Sequence, residues 1–225
     1  VKQYENIAQA PNKTYDTIVS NALSKFSAYD TEEMCSFLAA DKLDFKCLGQ
    51  KPTIIFVEVS DTDRSLESIV NLFFTQAISE LCIYADTFDD GELPCPVRFM
   101  LDDFPSIYIK DIDIAIANIR SRKISLFLVI QNFAQLKNTY GENAETIIDN
   151  CDTLIFTGTN SPETARQIGL RCNKSVETIL RMPLNHSWIF RRGSEPKLTE
   201  NFNLDIYMQE RHPYFFKCNN MVFEK

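Results

Sequence analysis

The sequence predicts an α/β fold, a doubly wound and mostly parallel sheet flanked by helices. Short, apolar, β-branched runs alternate with longer segments of helical periodicity. These runs lack the strict apolar/polar alternation of a half-solvated strand, which marks strands covered on both faces. With 44% hydrophobic and 12% aromatic residues, the 225-residue chain can fill the core of one large domain.

The elements follow in order. Val1–Asn12 is polar and holds Pro11, a lead-in. Lys13–Phe26 places Tyr15, Ile18, Val19, Ala22, Leu23 and Phe26 three and four apart, the pattern of an amphipathic helix. Asp30 or Thr31 can cap a second helix through Ala39, with Glu32 and Glu33 in its first turn. After Gly49 and Pro52, Thr53–Val57 reads as a buried strand and Ser65–Ala85 as a long helix. Val97–Leu101, Leu126–Ile130, Thr153–Thr157 and Ser187–Arg192 read as further strands. Asp111–Lys123, Asn143–Asn150 and Ser161–Arg171 read as helices. The simplest parse is a helical entry at 1–50, a core at 51–192 and a polar tail at 193–225, with no internal repeat.

A formal net charge of -8 argues against a broad nucleic-acid clamp, which needs clustered Lys and Arg. The seven cysteines form no C-x-x-C pair, and with two histidines no zinc-finger spacing can be written. Reduced, buried thiols of a cytoplasmic protein are expected. No signal peptide and no apolar run of membrane-spanning length is visible. Val1 opens the sequence without Met, as in a piece cut from a longer chain, to which any membrane anchor would belong.

Ligands of open α/β sheets sit at the C-terminal ends of the strands. There, Val97–Leu101 runs into Asp102-Asp103-Phe104-Pro105, an apolar strand ending in two carboxylates. This is the Walker B pattern: the first acid holds the Mg²⁺ shell and the next orients the attacking water. The competing reading is a turn or a helix N-cap. Leu126–Ile130 ends in Gln131, either a sensor of the γ-phosphate or a cap of the next helix. Arg120 and Arg122 close the helix between these strands. They read either as ordinary cations at a helix C-terminus or as an arginine finger aimed at a neighbouring subunit's nucleotide. Arg191, Arg192 and Lys197 make a small basic spot, a solvated edge or a partner contact. Asp61-Thr62-Asp63-Arg64 reads as a turn and cap for the long helix, and Trp188 as core. His186 and His212 have no visible partners.

In order and spacing, Lys51–Phe74, Val97–Pro105, Ala117–Lys123, Val129–Glu142 and Asn150–Ala165 resemble the TraG/TraD coupling ATPases of conjugation and type IV secretion, related to the FtsK and HerA motors. The resemblance implies a RecA-like P-loop ATPase fold, incomplete on its N-terminal side. It also implies four roles: Asp102 as the Mg²⁺ partner, Asp103 as the catalytic acid, Gln131 near the γ-phosphate, and Arg120 presented across the subunit interface. The family usually has glutamate where Asp103 stands, so the reach is one methylene shorter. No G-x-x-x-x-G-K-S/T occurs in the chain, and its six glycines are scattered. Without that phosphate cradle the chain is expected to bind ATP poorly and to be inactive alone.

The implied function is that of a conjugative coupling protein, with ATP and Mg as cofactors of the intact protein. Its partners would be DNA, a relaxase cargo and the channel proteins. The intact protein would form a hexameric ring on the cytoplasmic face of the bacterial inner membrane, and this chain a monomer. The alternative is a non-hydrolytic recognition or assembly module on a motor fold. A double-strand DNA pump of the FtsK or HerA kind is a third reading, disfavoured by the Asn150–Ala165 block.

Overall fold

The structure, a computed structural model, describes residues 11–26, 29, 30, 32–39, 43–59 and 66–211. The chain divides into two compact units between Ile147 and Ile148.

In the first unit, α1 (Asn12–Phe26) and α2 (Glu32–Leu38) match the two expected entry helices within a few residues. Leu23 and Phe26 of α1 are exposed. A short α3 (Lys46–Gln50) follows, in which Gly49 allows close packing. A Cβ there would lie 2.8 Å from the Leu93 Cδ2. The long helix α4 (Glu67–Ala85) buries Phe74, Ala77, Ile78, Leu81 and Ala85, one stripe at helical spacing. Contrary to expectation, α4 is long and apolar enough to cross a membrane, with a mean hydropathy of 1.3. That stripe, and the Phe74 ring 6.5 Å from Phe99, make it a core helix of this unit.

Strand β1 (Val97–Leu101) buries Val97, Phe99 and Leu101 and exposes Arg98 and Met100. It is therefore open on one face, where the sequence suggested cover on both; Met100 is 69% exposed. It pairs in parallel with β2 (Ile124–Leu128), in register Val97↔Ile124 through Leu101↔Leu128. Between them lie a 3-10 turn (Phe104–Ser106), α5 (Ile112–Asn118) and a second 3-10 turn (Ile119–Arg122). Helix α6 (Phe133–Tyr140) follows β2, and α7 (Asn143–Asn150) runs through the division between the units.

The second unit is a three-stranded antiparallel sheet in the order β3-β4-β5, with β3 Thr153–Phe156, β4 His186–Arg191 and β5 Lys197–Glu200. Phe156, Trp188 and Phe190 share one buried face; the cross-strand register sets Phe156 opposite Trp188. The hairpin of α8 (Pro162–Cys172) and α9 (Val176–Leu180) starts each helix on a serine cap, Ser161 and Ser175. Helix α10 (Leu204–Arg211) ends the described chain.

Three sequence expectations need correction. The described strands form a parallel pair and an antiparallel triple, not one doubly wound, mostly parallel sheet. Residues 192–196 between β4 and β5 are too few for a parallel crossover, which takes a dozen or more residues, so that strand returns antiparallel. Thr53–Val57 is not a buried strand: it has no ladder partner among the described residues, and Phe56 is 92% exposed. An apolar run becomes a strand only where an edge offers its backbone groups partners. The polar stretch after Arg192, read from the sequence only as a tail, contains β5 and α10. The Asp61–Arg64 turn, His212 and Cys218 lie outside the described residues.

The six described cysteines form no disulfide with one another, but Cys35 is exposed and the rest are half-buried rather than sequestered. Burial pushes the Cys82 and Cys151 thiols above their ordinary values.

Candidate nucleotide-hydrolysis site

The C-terminal ends of β1 and β2 lie side by side, because the parallel register continues past both strands. The Val129 N–H donates to the Leu101 carbonyl at 3.0 Å, and the Phe104 N–H donates to the Val129 carbonyl at 2.9 Å. This ties the turn after β1 to the segment carrying Gln131. Asp103 sits in that turn in the left-handed region, φ 48° and ψ 46°, which aspartate tolerates better than most residues. Both of its carboxylate oxygens are engaged. Oδ1 accepts from the Gln131 amide nitrogen at 3.4 Å, and Oδ2 accepts from the Ser106 hydroxyl. The Asp103 N–H donates in turn to Asp102 Oδ1 at 3.1 Å.

The helix α6 holds this turn from behind. Tyr140 stacks on Phe104, with ring centroids 5.0 Å apart. Its hydroxyl donates to the Ile107 carbonyl at 2.6 Å and accepts from the Ile109 N–H at 3.1 Å. Burial pushes the Tyr140 phenol up to about 12. The Thr139 hydroxyl donates to the Pro105 carbonyl at 2.8 Å, and from α4 Asn71 accepts the Tyr108 N–H at 3.0 Å.

A cavity of about 920 Å³ opens in front, lined by Asp102, Asp103, Ser106 and Gln131 and walled by Met100, Val129 and residues of α4. Glu58, Glu67 and Gln135 also line it. Gln135 Oε1 is buried and has no hydrogen-bond partner among the described residues, an acceptor awaiting a donor. No Lys or Arg appears among the described lining residues. Carboxylates and amide oxygens suit a hydrated Mg²⁺, so Asp102 with Asp103 fits that ion. The same wall is a poor cradle for bare phosphates.

Asp102, Asp103 and Gln131 thus share one cavity, while Arg120 lies outside it. Arg120 is exposed, and no hydrogen bond or ion pair holds its guanidinium among the described residues. Arg122 is tied to Asp86, its Nε 2.9 Å from Oδ1 and its Nη2 3.2 Å from Oδ2. The capping role open to Gln131 falls instead to Asn132, whose Oδ1 accepts the Gln135 N–H at 2.9 Å. Sequence reasoning missed Ser106, Gln135, Glu58 and Glu67. Ser106, three residues beyond Asp103, was the one with a local signal.

In the basic spot, Arg192 donates to the Asp149 carbonyl at 3.0 Å, and Arg191 lies 4.0 Å from Asp152. His186 Nδ1 is 3.0 Å from the Leu184 carbonyl, and Trp188 is core as expected.

A family model described as type IV secretory system conjugative DNA transfer matches residues 2–177. The chain belongs to that family. This bears out the resemblance to TraG/TraD-type coupling proteins. No curated protein matches the sequence. Among solved structures, the bacterial conjugative coupling protein TrwB in a trigonal form with sulphate superimposes with a TM-score of 0.71 at 13% identity. That match covers 88% of this chain and 52% of TrwB. TrwB in complex with a non-hydrolysable ATP analogue gives a TM-score of 0.51 at 13% identity, covering 62% of this chain and 38% of the other. The chain therefore spans about half of the solved protein or less, and at this identity the likeness shows the fold alone.

Proposed function

We propose that the chain is the acid-bearing part of an ATP-driven coupling motor, which delivers DNA and its attached protein to a type IV secretion channel. One observation carries the reading: Asp102, Asp103 and Gln131, from the ends of two parallel strands, converge on one cavity wall. Asp102 would hold Mg²⁺, and Asp103, braced on both oxygens, would orient the attacking water with Gln131 beside it. Bound Mg²⁺ would neutralise charge on the transferring phosphate. The cationic cradle for the phosphates would come from outside the described lining, which holds only acids and neutral groups. Arg120, exposed and uncommitted, would reach a neighbouring subunit's nucleotide in a hexameric ring. The working place would be the cytoplasmic face of the inner membrane, and the parallel sheet would be completed by strands outside the described pair.

The test is ATP turnover by the full-length gene product with Asp102→Ala. Loss of at least about a hundredfold in kcat is expected with the melting profile retained. Unchanged turnover in a folded variant would sink the assignment.

A second reading, a recognition or assembly module without hydrolysis, is favoured by Asp103, which stands where the family usually has glutamate. Nucleotide-independent binding of a relaxase by this chain would support it.

A further inference from the structure

The two arginines that the sequence left equivalent have different situations. Arg120 projects from the 3-10 turn Ile119–Arg122 with nothing holding its guanidinium among the described residues. Arg122 points back and is fully used. Its fork meets both oxygens of Asp86, at 2.9 and 3.2 Å, and its Nη1 donates to the Asn118 carbonyl at 3.2 Å.

We propose that Asp86 and Arg122 are a positioning pair that aims Arg120. This rests on the reading of Arg120 as a residue acting on a neighbouring subunit's nucleotide. Asp86 is the C-cap residue of α4, and its N–H is bonded to the Cys82 carbonyl at 3.0 Å, so it stands at the end of the longest described helix of the unit. A carboxylate at a helix C-terminus opposes the helix dipole, so its placement there calls for a compensating cation, which Arg122 provides. The pair is partly solvated, with side chains 25% exposed for Arg122 and 55% for Asp86. Its specificity therefore comes from the two-pronged geometry rather than from burial.

The remaining bonds clamp the same turn. Ile119 is buried, and the Ser121 hydroxyl donates to the Asn118 carbonyl at 2.9 Å. Lys123 adopts φ 58° and lies 2.7 Å from Glu92. The Leu93 N–H donates to the Arg122 carbonyl at 3.3 Å, and the Val97 N–H to the Lys123 carbonyl at 3.0 Å. One end of the knuckle is thus fixed to α4 and the other to the start of β1. Arg120 is the one long side chain between them left pointing outward. A lysine at 122 would keep the charge and lose the fork.

The latch is tested on this chain by amide hydrogen exchange of Asp86→Asn and, as a gentler change, Arg122→Lys. Exchange of the Leu93 and Lys123 amides should rise on the order of tenfold, with the β1–β2 amides unchanged. Unchanged exchange overturns the latch. Its purpose is tested by mixed-subunit ATP turnover of the full-length product. Asp86→Asn alone should lose turnover as Arg120→Ala does. Mixing it with Asp103→Asn subunits, whose knuckle is intact, should restore turnover, and mixing it with Arg120→Ala should not. Failure of the Asp103→Asn mixture to restore turnover overturns the aiming role and leaves a structural brace. Absence of turnover in the unsubstituted protein overturns the motor reading and the aiming role with it, while hydrogen exchange still judges the latch.

Discussion

The Tyr140 hydroxyl serves two buried backbone groups at once, the Ile107 carbonyl and the Ile109 N–H. Tyr140→Phe keeps the stack on Phe104 and leaves both groups unpaired, which costs about 1–3 kcal/mol. A lower urea midpoint at unchanged slope is the expected reading. The same hydroxyl sets a pH dependence. Its folded pKa is raised, mainly by burial, from an ordinary 10.0 to about 12. The folded protein then keeps a proton that the unfolded chain has released. The stabilisation is whole below pH 10 and falls as pH rises to about 12, by roughly 3 kcal/mol relative to Tyr140→Phe. Parallel stability curves for the two proteins across that window would contradict the assignment. At this scale the sequence revealed the pair Asp102-Asp103, because acids at the end of an apolar run stand out. It did not reveal Tyr140 or Gln135, since the hydroxyl's partners lie more than thirty residues away and Gln135 Oε1 has none among the described residues.

At the scale of the element, what could be read depended on whether a segment's own pattern decides its state. Val97–Leu101 was read to the residue, and β2 lay two residues earlier than expected, at Ile124–Leu128. Thr53–Val57 had the composition of a strand and no ladder partner among the described residues. Lys197–Glu200 had the opposite fate, a polar edge strand made by the ladder to β4 rather than by its own residues. The α8–α9 hairpin hides a further constraint that pattern reading cannot see. Gly169 is buried in α8, and a Cβ there would sit 2.6 Å from the Lys174 carbonyl. That oxygen is backbone, so it cannot swing aside. Gly169→Ala should destabilise the hairpin by about 1–3 kcal/mol despite alanine's better helix propensity. A thermal shift upward would show that the turn relaxes freely.

For the whole molecule, charge decides what the cavity can take without help. The chain carries -8, and the described lining of the cavity contains Asp102, Asp103, Glu58 and Glu67 with no Lys or Arg. A nucleoside triphosphate entering that space meets like charge on every ionised wall, and no backbone cradle of glycines balances it. Mg²⁺ shields part of this repulsion but does not replace the missing cationic contacts. Titration calorimetry of this chain with Mg·ATP is therefore expected to give a Kd weaker than about 1 mM, near -4 kcal/mol. Asp102→Asn and Asp103→Asn should weaken Mn²⁺ binding to the same wall. Micromolar Mg·ATP affinity would mean that the chain supplies its own phosphate contacts, which would point to basic groups outside the cavity lining.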